Sequence, residues 1–331
     1  MTPLESPATL RRSGLGCILR FVGLVLLLLV IAVAARRLLE RPAAISALGP
    51  GERNTLVGSV RWRTREVAGP LAPPIVFVHG FLSSSATWKK VLAPMAADHS
   101  AIAVDLPGTG NSDRPLPYDY SAGGEAAALL QFLDVRGIRR AVLIGNSMGG
   151  AICLIAAAAR PDRVAALVLV DSAFPGVTIP PGFRALRTPI LGDIEMEFLT
   201  RPVVASMLRH RLYARGERVT EETVSDWWDP IRIPGTRRAV LALVRTKERG
   251  YEDLLERIRA RTLVVWGKED HLLPASDGTR LASRIHGAEL VVLPDAGHLP
   301  QEETPAAFAR AVGRFLGRTP ASEASAADAS R

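Results

Sequence analysis

Residues 141–160 restrict the fold of this chain more than any other stretch. Ala141-Val142-Leu143-Ile144 is a short apolar run of strand character. Gly145-Asn146-Ser147-Met148-Gly149-Gly150 follows at once, and Ala151 to Arg160 is Ala-rich with helical character. A strand that becomes a helix at a serine makes a sharp elbow. The serine backbone is strained there, and the flanking positions must be almost bare for the turn to close, a need that Gly145 and Gly149 meet. The elbow lifts the Ser147 hydroxyl off the sheet edge. It also sets that hydroxyl beside the first turn of a helix, where backbone N–H groups favour negative charge. A glycine-rich turn that merely starts a helix reads the same in isolation, so the weight falls on what accompanies it.

Four further segments accompany it. Pro74 to Val78 is a buried-strand run that ends in His79-Gly80-Phe81-Leu82. Acyl transfer needs two donors on the developing oxyanion. The Met148 N–H supplies one, and the Phe81 N–H is the best placed for the other. His79 reads as a residue that orders this loop. Ala101 to Asp105 is a second strand, followed by a Pro/Gly turn in which Asp105 and Asp113 read as structural acceptors. Thr262 to Gly267 is a third, leading to Lys268-Glu269-Asp270-His271. Leu290 to Leu293 is a fourth, and it delivers His298 on the loop Pro294-Asp295-Ala296-Gly297. The order Ser147, Asp270, His298 is nucleophile, acid, then histidine.

On these motifs the chain from about residue 70 to 317 resembles the α/β-hydrolase superfamily, in its capped serine branch of esterases, lipases and meta-cleavage-product hydrolases. The resemblance implies a mostly parallel central sheet with helices on both faces and a helical cap after the sixth strand. It implies Ser147 as nucleophile, His298 as base, and Asp270 as the acid. Asp171, at the end of Ala165 to Val170, is the alternative acid, because some capped relatives carry theirs there. Asp295 lies only three residues before His298, too local to orient that ring. Serine at the elbow excludes the capped dehalogenases and epoxide hydrolases, which use aspartate. Water releases a serine ester, so neither a metal nor an organic cofactor is required. No phosphate-binding glycine loop or Cys/His metal cluster is evident in the sequence.

Composition matters chiefly at the N-terminus. The net charge is +8, and residues 1–41 hold Arg11, Arg12, Arg20, Arg36, Arg37 and Arg41 against Glu5 and Glu40. That placement fits membrane topology, and no basic stripe with interleaved aromatics points to nucleic acid. Phe21 to Ala35 is uninterrupted and apolar, and Gly14 to Ala35 reaches spanning length if Arg20 snorkels. A single helical anchor in a bacterial inner membrane is the expectation. A cleaved signal peptide is the alternative, with Ala32-Val33-Ala34 as a small-x-small site, although Arg36-Arg37 just beyond argues against easy export. Cys17 and Cys153 lie in different segments, so no disulfide is expected.

The organisation that follows is an N-terminal anchor over 1–37, a linker over 38–52 and a core over 53–171 and 261–317. A helical cap occupies 172–260, and an Ala/Ser-rich disordered tail 318–331. Leu56 to Arg65 alternates as a first hairpin strand. Trp227 and Trp228 lie in the cap, as packing residues or as an acyl-pocket wall. The function expected is hydrolysis of small-molecule or lipid carboxylic esters. Two rivals remain. Gly-Asn-Ser-Met-Gly-Gly also looks like the C–C hydrolases of ring-fission pathways, although Phe81 to Ser85 and Leu299-Pro300 depart from their pattern. A non-catalytic binding protein on the same fold is the other, and it has no need of an intact triad.

Overall fold

The computed structural model describes residues 41–317 other than 178–180, 247–250 and 252, together with Phe21, Leu24 and Ile31. Eight strands form one sheet: β1 (Glu52–Val57), β2 (Val60–Val67), β3 (Leu71–Val78), β4 (His99–Val104), β5 (Ala141–Asn146), β6 (Val164–Val170), β7 (Arg261–Gly267) and β8 (Glu289–Leu293). Their order is β1-β2-β4-β3-β5-β6-β7-β8. β1 pairs with β2, and β2 with β4, antiparallel; every later pairing is parallel. The expected mostly parallel sheet is therefore present.

The helices follow in chain order as α1 (Lys89–Met95), α2 (Ala122–Val135), α3 (Met148–Ala159), α4 (Pro181–Leu186), α5 (Leu191–Phe198) and α6 (Arg201–Met207). Then come α7 (Glu221–Ile231), α8 (Thr236–Arg245), α9 (Ala275–Arg284), α10 (Pro300–Glu303) and α11 (Pro305–Phe315). The central strands are apolar without alternation because helices cover both faces. Val76, Val78 and Leu143 pack with Leu129 and Phe132 of α2 and Ile152 of α3. Their neighbours Ile75, Phe77 and Ile144 point the other way, against Trp88 and against Phe308 and Val312 of α11.

Helices α4 to α8 all fall between β6 and β7. They share a third apolar cluster that includes Met196, Val204, Leu208, Trp227 and Trp228, and it reaches Leu82 and Leu299 in the core loops. Trp227 and Trp228 are packing residues in this cluster.

The single strand read over Leu56 to Arg65 is corrected. β1 ends at Val57 and β2 begins at Val60, with Gly58 at φ 58° in the turn between them. A two-residue turn preserves the period of two, so the alternation runs on unbroken through the reversal. The segment just before β1 lies against the sheet. Arg63 donates from Nη1 to the Ala47 carbonyl at 3.2 Å and from Nη2 to that of Ser46 at 2.8 Å. The Ala43 N–H reaches the Arg232 carbonyl.

The apolar run from Phe21 to Ala35 and the tail 318–331 lie outside the described residues, apart from Phe21, Leu24 and Ile31, which are helical and exposed. Among the described residues, no helix is long and apolar enough to cross a membrane.

Candidate active site

Ser147 is the one residue between β5 and α3, and it takes φ 53° and ψ −119°. A side chain rarely tolerates that conformation, so the surroundings must hold it. The Ser147 N–H donates to the Val170 carbonyl at 2.9 Å, and the Ala173 N–H donates to the Ser147 carbonyl at 2.9 Å, which ties the elbow to β6. A methyl group on Gly145 would overlap the Gly149 carbonyl, and one on Gly149 would overlap that of Val78. The bare flanks are therefore steric requirements. Met148 opens α3, so its N–H belongs to the first turn, whose donors have no partner within the helix.

Asp270 and His298 meet in the buried interior beside this elbow. His298 Nδ1 lies 2.7 Å from Asp270 Oδ2. Asp270 Oδ1 accepts the N–H groups of Leu272 at 2.7 Å and Leu273 at 2.9 Å, which fixes the carboxylate plane. A carboxylate only accepts, so Nδ1 carries the proton of this bond and Nε2 is left as a base. The histidine loop is held from several sides. The His298 N–H donates to the Leu212 carbonyl at 2.7 Å. Asn146 Nδ2 donates to the carbonyls of His298 and Val170, each at 3.1 Å. Glu303 accepts the Gly297 N–H on Oε1 and the Ala214 N–H on Oε2, both at 2.7 Å. Burial pushes the Glu303 carboxyl up to about 7 against the pull of these donors.

Asp171 lies close by and has a different task. Its Oδ1 accepts the Gly267 N–H at 2.8 Å, which joins the ends of β6 and β7. Burial, and then the Asp270 carboxylate beside it, hold the Asp171 carboxyl well above the ordinary carboxylate range. The ligand atoms of Asp171, Asp270 and His298 lie within 4.8 Å of one another. The Nδ1–H to Oδ2 bond already engages Asp270 and His298, and the shift on Asp171 favours its protonated form, a weak metal ligand. Asp295 turns away from His298 to pair with Arg215 at 2.8 Å and Arg218 at 2.6 Å.

His79 is buried and works as a strut. Its Nδ1 bonds the Gly80 carbonyl at 2.7 Å, and its Nε2 accepts the Leu106 N–H at 3.1 Å. Burial lowers its pKa, consistent with a neutral ring that donates on one side and accepts on the other. Asp105 accepts the N–H groups of Ser85 at 2.6 Å and Asn111 at 2.7 Å, and Asp113 accepts that of Arg61 at 2.9 Å. All three serve the loops, as the sequence implied.

A cavity of about 550 Å³ opens onto Ser147, Met148 and Phe81. Leu243 of α8, Leu272 after β7, and Phe183 of α4 contribute apolar walls. The Phe81 and Phe183 ring centroids lie 5.0 Å apart, with the planes tilted by 52°. Trp227 and Trp228 are not among its lining residues. Sequence reasoning missed Asn146, Glu303 and Glu125, the last of which also lines the cavity. Asn146 occupies the variable place in Gly-x-Ser-x-Gly, which carries no signal of its own. Glu303 follows His298 by five residues, but only the folded loop shows that it clamps Gly297.

The comparisons with known proteins agree with this geometry. A family model described as the alpha/beta hydrolase family matches residues 75–311. The uncharacterized hydrolase YugF of Bacillus subtilis is 27% identical over 274 residues, covering 82% of this chain and 100% of the relative. The 2-hydroxymuconate semialdehyde hydrolase of Pseudomonas sp. is 30% identical over 255 residues, covering 73% of this chain and 86% of the relative. The monoacylglycerol lipase abhd6-A of Xenopus laevis is 28% identical over 255 residues, covering 73% of this chain and 74% of the relative. With its elbow, its parallel sheet and a family match across most of its length, this chain belongs to the alpha/beta hydrolase family.

Proposed function

We propose that the protein is a serine hydrolase of carboxylic esters with apolar acyl chains. The observation that carries this reading is the apolar cavity opening on Ser147, with the buried Asp270–His298 pair behind the elbow. In the proposed cycle His298 Nε2 takes the Ser147 proton as Oγ attacks the ester carbonyl. The N–H groups of Phe81 and Met148 receive the oxyanion. The tetrahedral intermediate collapses, the alcohol departs with the proton from His298, and an acyl-enzyme remains. Water, deprotonated by His298, then attacks the acyl carbon, and the acid leaves as Ser147 Oγ takes the proton back from His298. Asp270 holds the ring and stabilises the imidazolium.

An apolar wall rewards chain length. Each buried methylene is worth about 0.8 kcal/mol, roughly fourfold in kcat/KM at the upper limit. On p-nitrophenyl esters kcat/KM should therefore rise on the order of 10²-fold from acetate to a medium chain. A monoacylglycerol, the class named in the Xenopus laevis relative, should also be hydrolysed. The C–C hydrolase reading draws on the Pseudomonas relative. Its anionic dicarbonyl substrates fit poorly against a wall that carries a buried carboxyl and, among the described residues, only the exposed Arg187 as a cation. Activity that falls steadily with chain length, with efficient cleavage of a ring-fission diketone, would replace the ester reading. A fluorophosphonate that leaves Ser147 unlabelled would favour a binding protein on the same fold.

We also propose that residues 21–35 anchor the enzyme to a membrane, with the linker keeping it near lipid esters. Ile190, Leu191, Ile194 and Phe198, exposed around α5, would suit the same surface. The full chain should then sediment with membranes and resist carbonate extraction. A chain shortened to residues 41–331, which keeps the contacts of Ala43, Ser46 and Ala47, should be soluble and active. A mature N-terminus at Ala35 would establish secretion instead.

A further inference from the structure

The wall of the cavity is mostly apolar, and among its few polar side chains is a buried carboxyl. Glu125 lies near the start of α2 and is 1% exposed. Its backbone belongs to an ordinary helix start. The Ser121 hydroxyl accepts the Gly124 N–H at 2.9 Å, and the Glu125 N–H donates to the Ser121 carbonyl. An acid in a first helical turn is commonly solvated and favoured by the helix dipole. Here the side chain instead lines the same cavity as Ser147. The Tyr118 hydroxyl approaches Oε2 at a long 3.4 Å, and Oε1 has no hydrogen-bond partner among the described residues.

Among the described residues, no cation acts on this carboxyl. Tyr120 turns its hydroxyl to the Pro115 carbonyl at 2.9 Å. The charged neighbour that acts on Glu125 is Asp119, another acid. Burial, reinforced by Asp119, holds the carboxyl well above its usual range despite the Tyr118 contact, which favours the protonated acid. A buried polar group without a partner costs stability, and it persists at functional sites where a ligand supplies the partner.

We propose that Glu125 determines substrate specificity by hydrogen-bonding a hydroxyl group on the chain that fills this cavity, so that the protein selects hydroxyacyl over plain alkanoyl groups. The acyl chain is the relevant arm because it stays bonded to Ser147 after the alcohol has left. A hydroxyl suits the geometry better than a carbonyl or ether oxygen. It can donate to the free Oε1 and also accept from the acid proton. One face of α3, from Met148 through Ala151 and Ile152 to Ile155, also lines the cavity. At about 1.5 Å per residue that face runs roughly 10 Å, enough for a hydroxyl well removed from the ester.

The proposal rests on the ester reading only in placing the acyl arm, and its test does not need turnover. The probes are N-methyloctanamide and its positional hydroxy isomers, titrated by calorimetry into the full chain. At least one hydroxy isomer should bind about tenfold more tightly than the plain amide, the scale of one satisfied buried hydrogen bond. Glu125→Met should abolish that preference, bind the plain amide at least as well, and raise Tm, because an unsatisfied buried carboxyl is gone. Glu125→Gln, which keeps a donor and an acceptor, should retain the preference, and it serves as the second variant if the methionine protein fails to fold. No hydroxy isomer favoured by the unaltered protein, or a preference that survives in Glu125→Met, would overturn the proposal. So would a Glu125→Met protein with lowered Tm and unchanged selectivity, since Glu125 would then be structural. Ester turnover without hydroxy preference would defeat this inference alone. Hydroxy preference without ester turnover would defeat the ester reading alone.

Discussion

Replacing Ser147 by alanine should lower ester kcat by at least about 10⁴-fold, the scale seen when the nucleophile of a serine triad is removed. The proposed attack needs an oxygen at one position, and no neighbouring hydroxyl can substitute. Ser172 lies after β6, and its Oγ donates to the Ala173 carbonyl at 2.8 Å. The protein should stay folded. The elbow is held by backbone bonds from Ser147 to Val170 and from Ala173 to Ser147, which alanine keeps. Alanine is no more strained than serine at φ 53°. Tm should move by no more than a few degrees, and fluorophosphonate labelling should vanish. Turnover within tenfold of the unaltered protein would remove Ser147 from the mechanism.

The parts of this site that were legible in the sequence are those fixed by local constraints. Gly145 and Gly149 face carbonyls that a methyl would overlap, so residue type alone marks the elbow. Asp270 and His298 each lie on the loop that follows a strand, and parallel strands deliver their C-terminal loops to one edge. The parts that were not legible depend on contacts between distant segments. Glu125 reads as a capped helix start because Ser121 and Gly124 make it one. Its place on the cavity shows only once α3, α4, α8 and the loop after β7 supply other walls. Asn146 and Glu303 are invisible for the same reason, since each acts by reaching a backbone group supplied by another segment. The turn at Gly58 escaped for a simpler one. Alternation is a periodic signal, and a two-residue reversal does not break the period.

Asp270→Asn should lower kcat by roughly 10³ to 10⁴-fold, through the tautomer of His298. The two N–H groups of Leu272 and Leu273 require an acceptor at Oδ1, so the new amide keeps its oxygen there. Its NH₂ then faces His298 Nδ1 across the former 2.7 Å bond. A ring facing a donor must turn its lone pair to it and carry its proton on Nε2. That tautomer cannot take the Ser147 proton, although the geometry is nearly unchanged. Asp171→Asn should behave differently. Burial and the neighbouring Asp270 already favour the protonated Asp171, and an asparagine oxygen can still accept the Gly267 N–H, so kcat should fall less than about tenfold. The pair of variants separates the two acids by charge. Removing a carboxylate that faces the imidazole is crippling, whereas replacing a carboxyl already biased toward its acid form is not. A crippled Asp171→Asn beside a mild Asp270→Asn would move the proposed orienting acid to the end of β6, and the family assignment would stand.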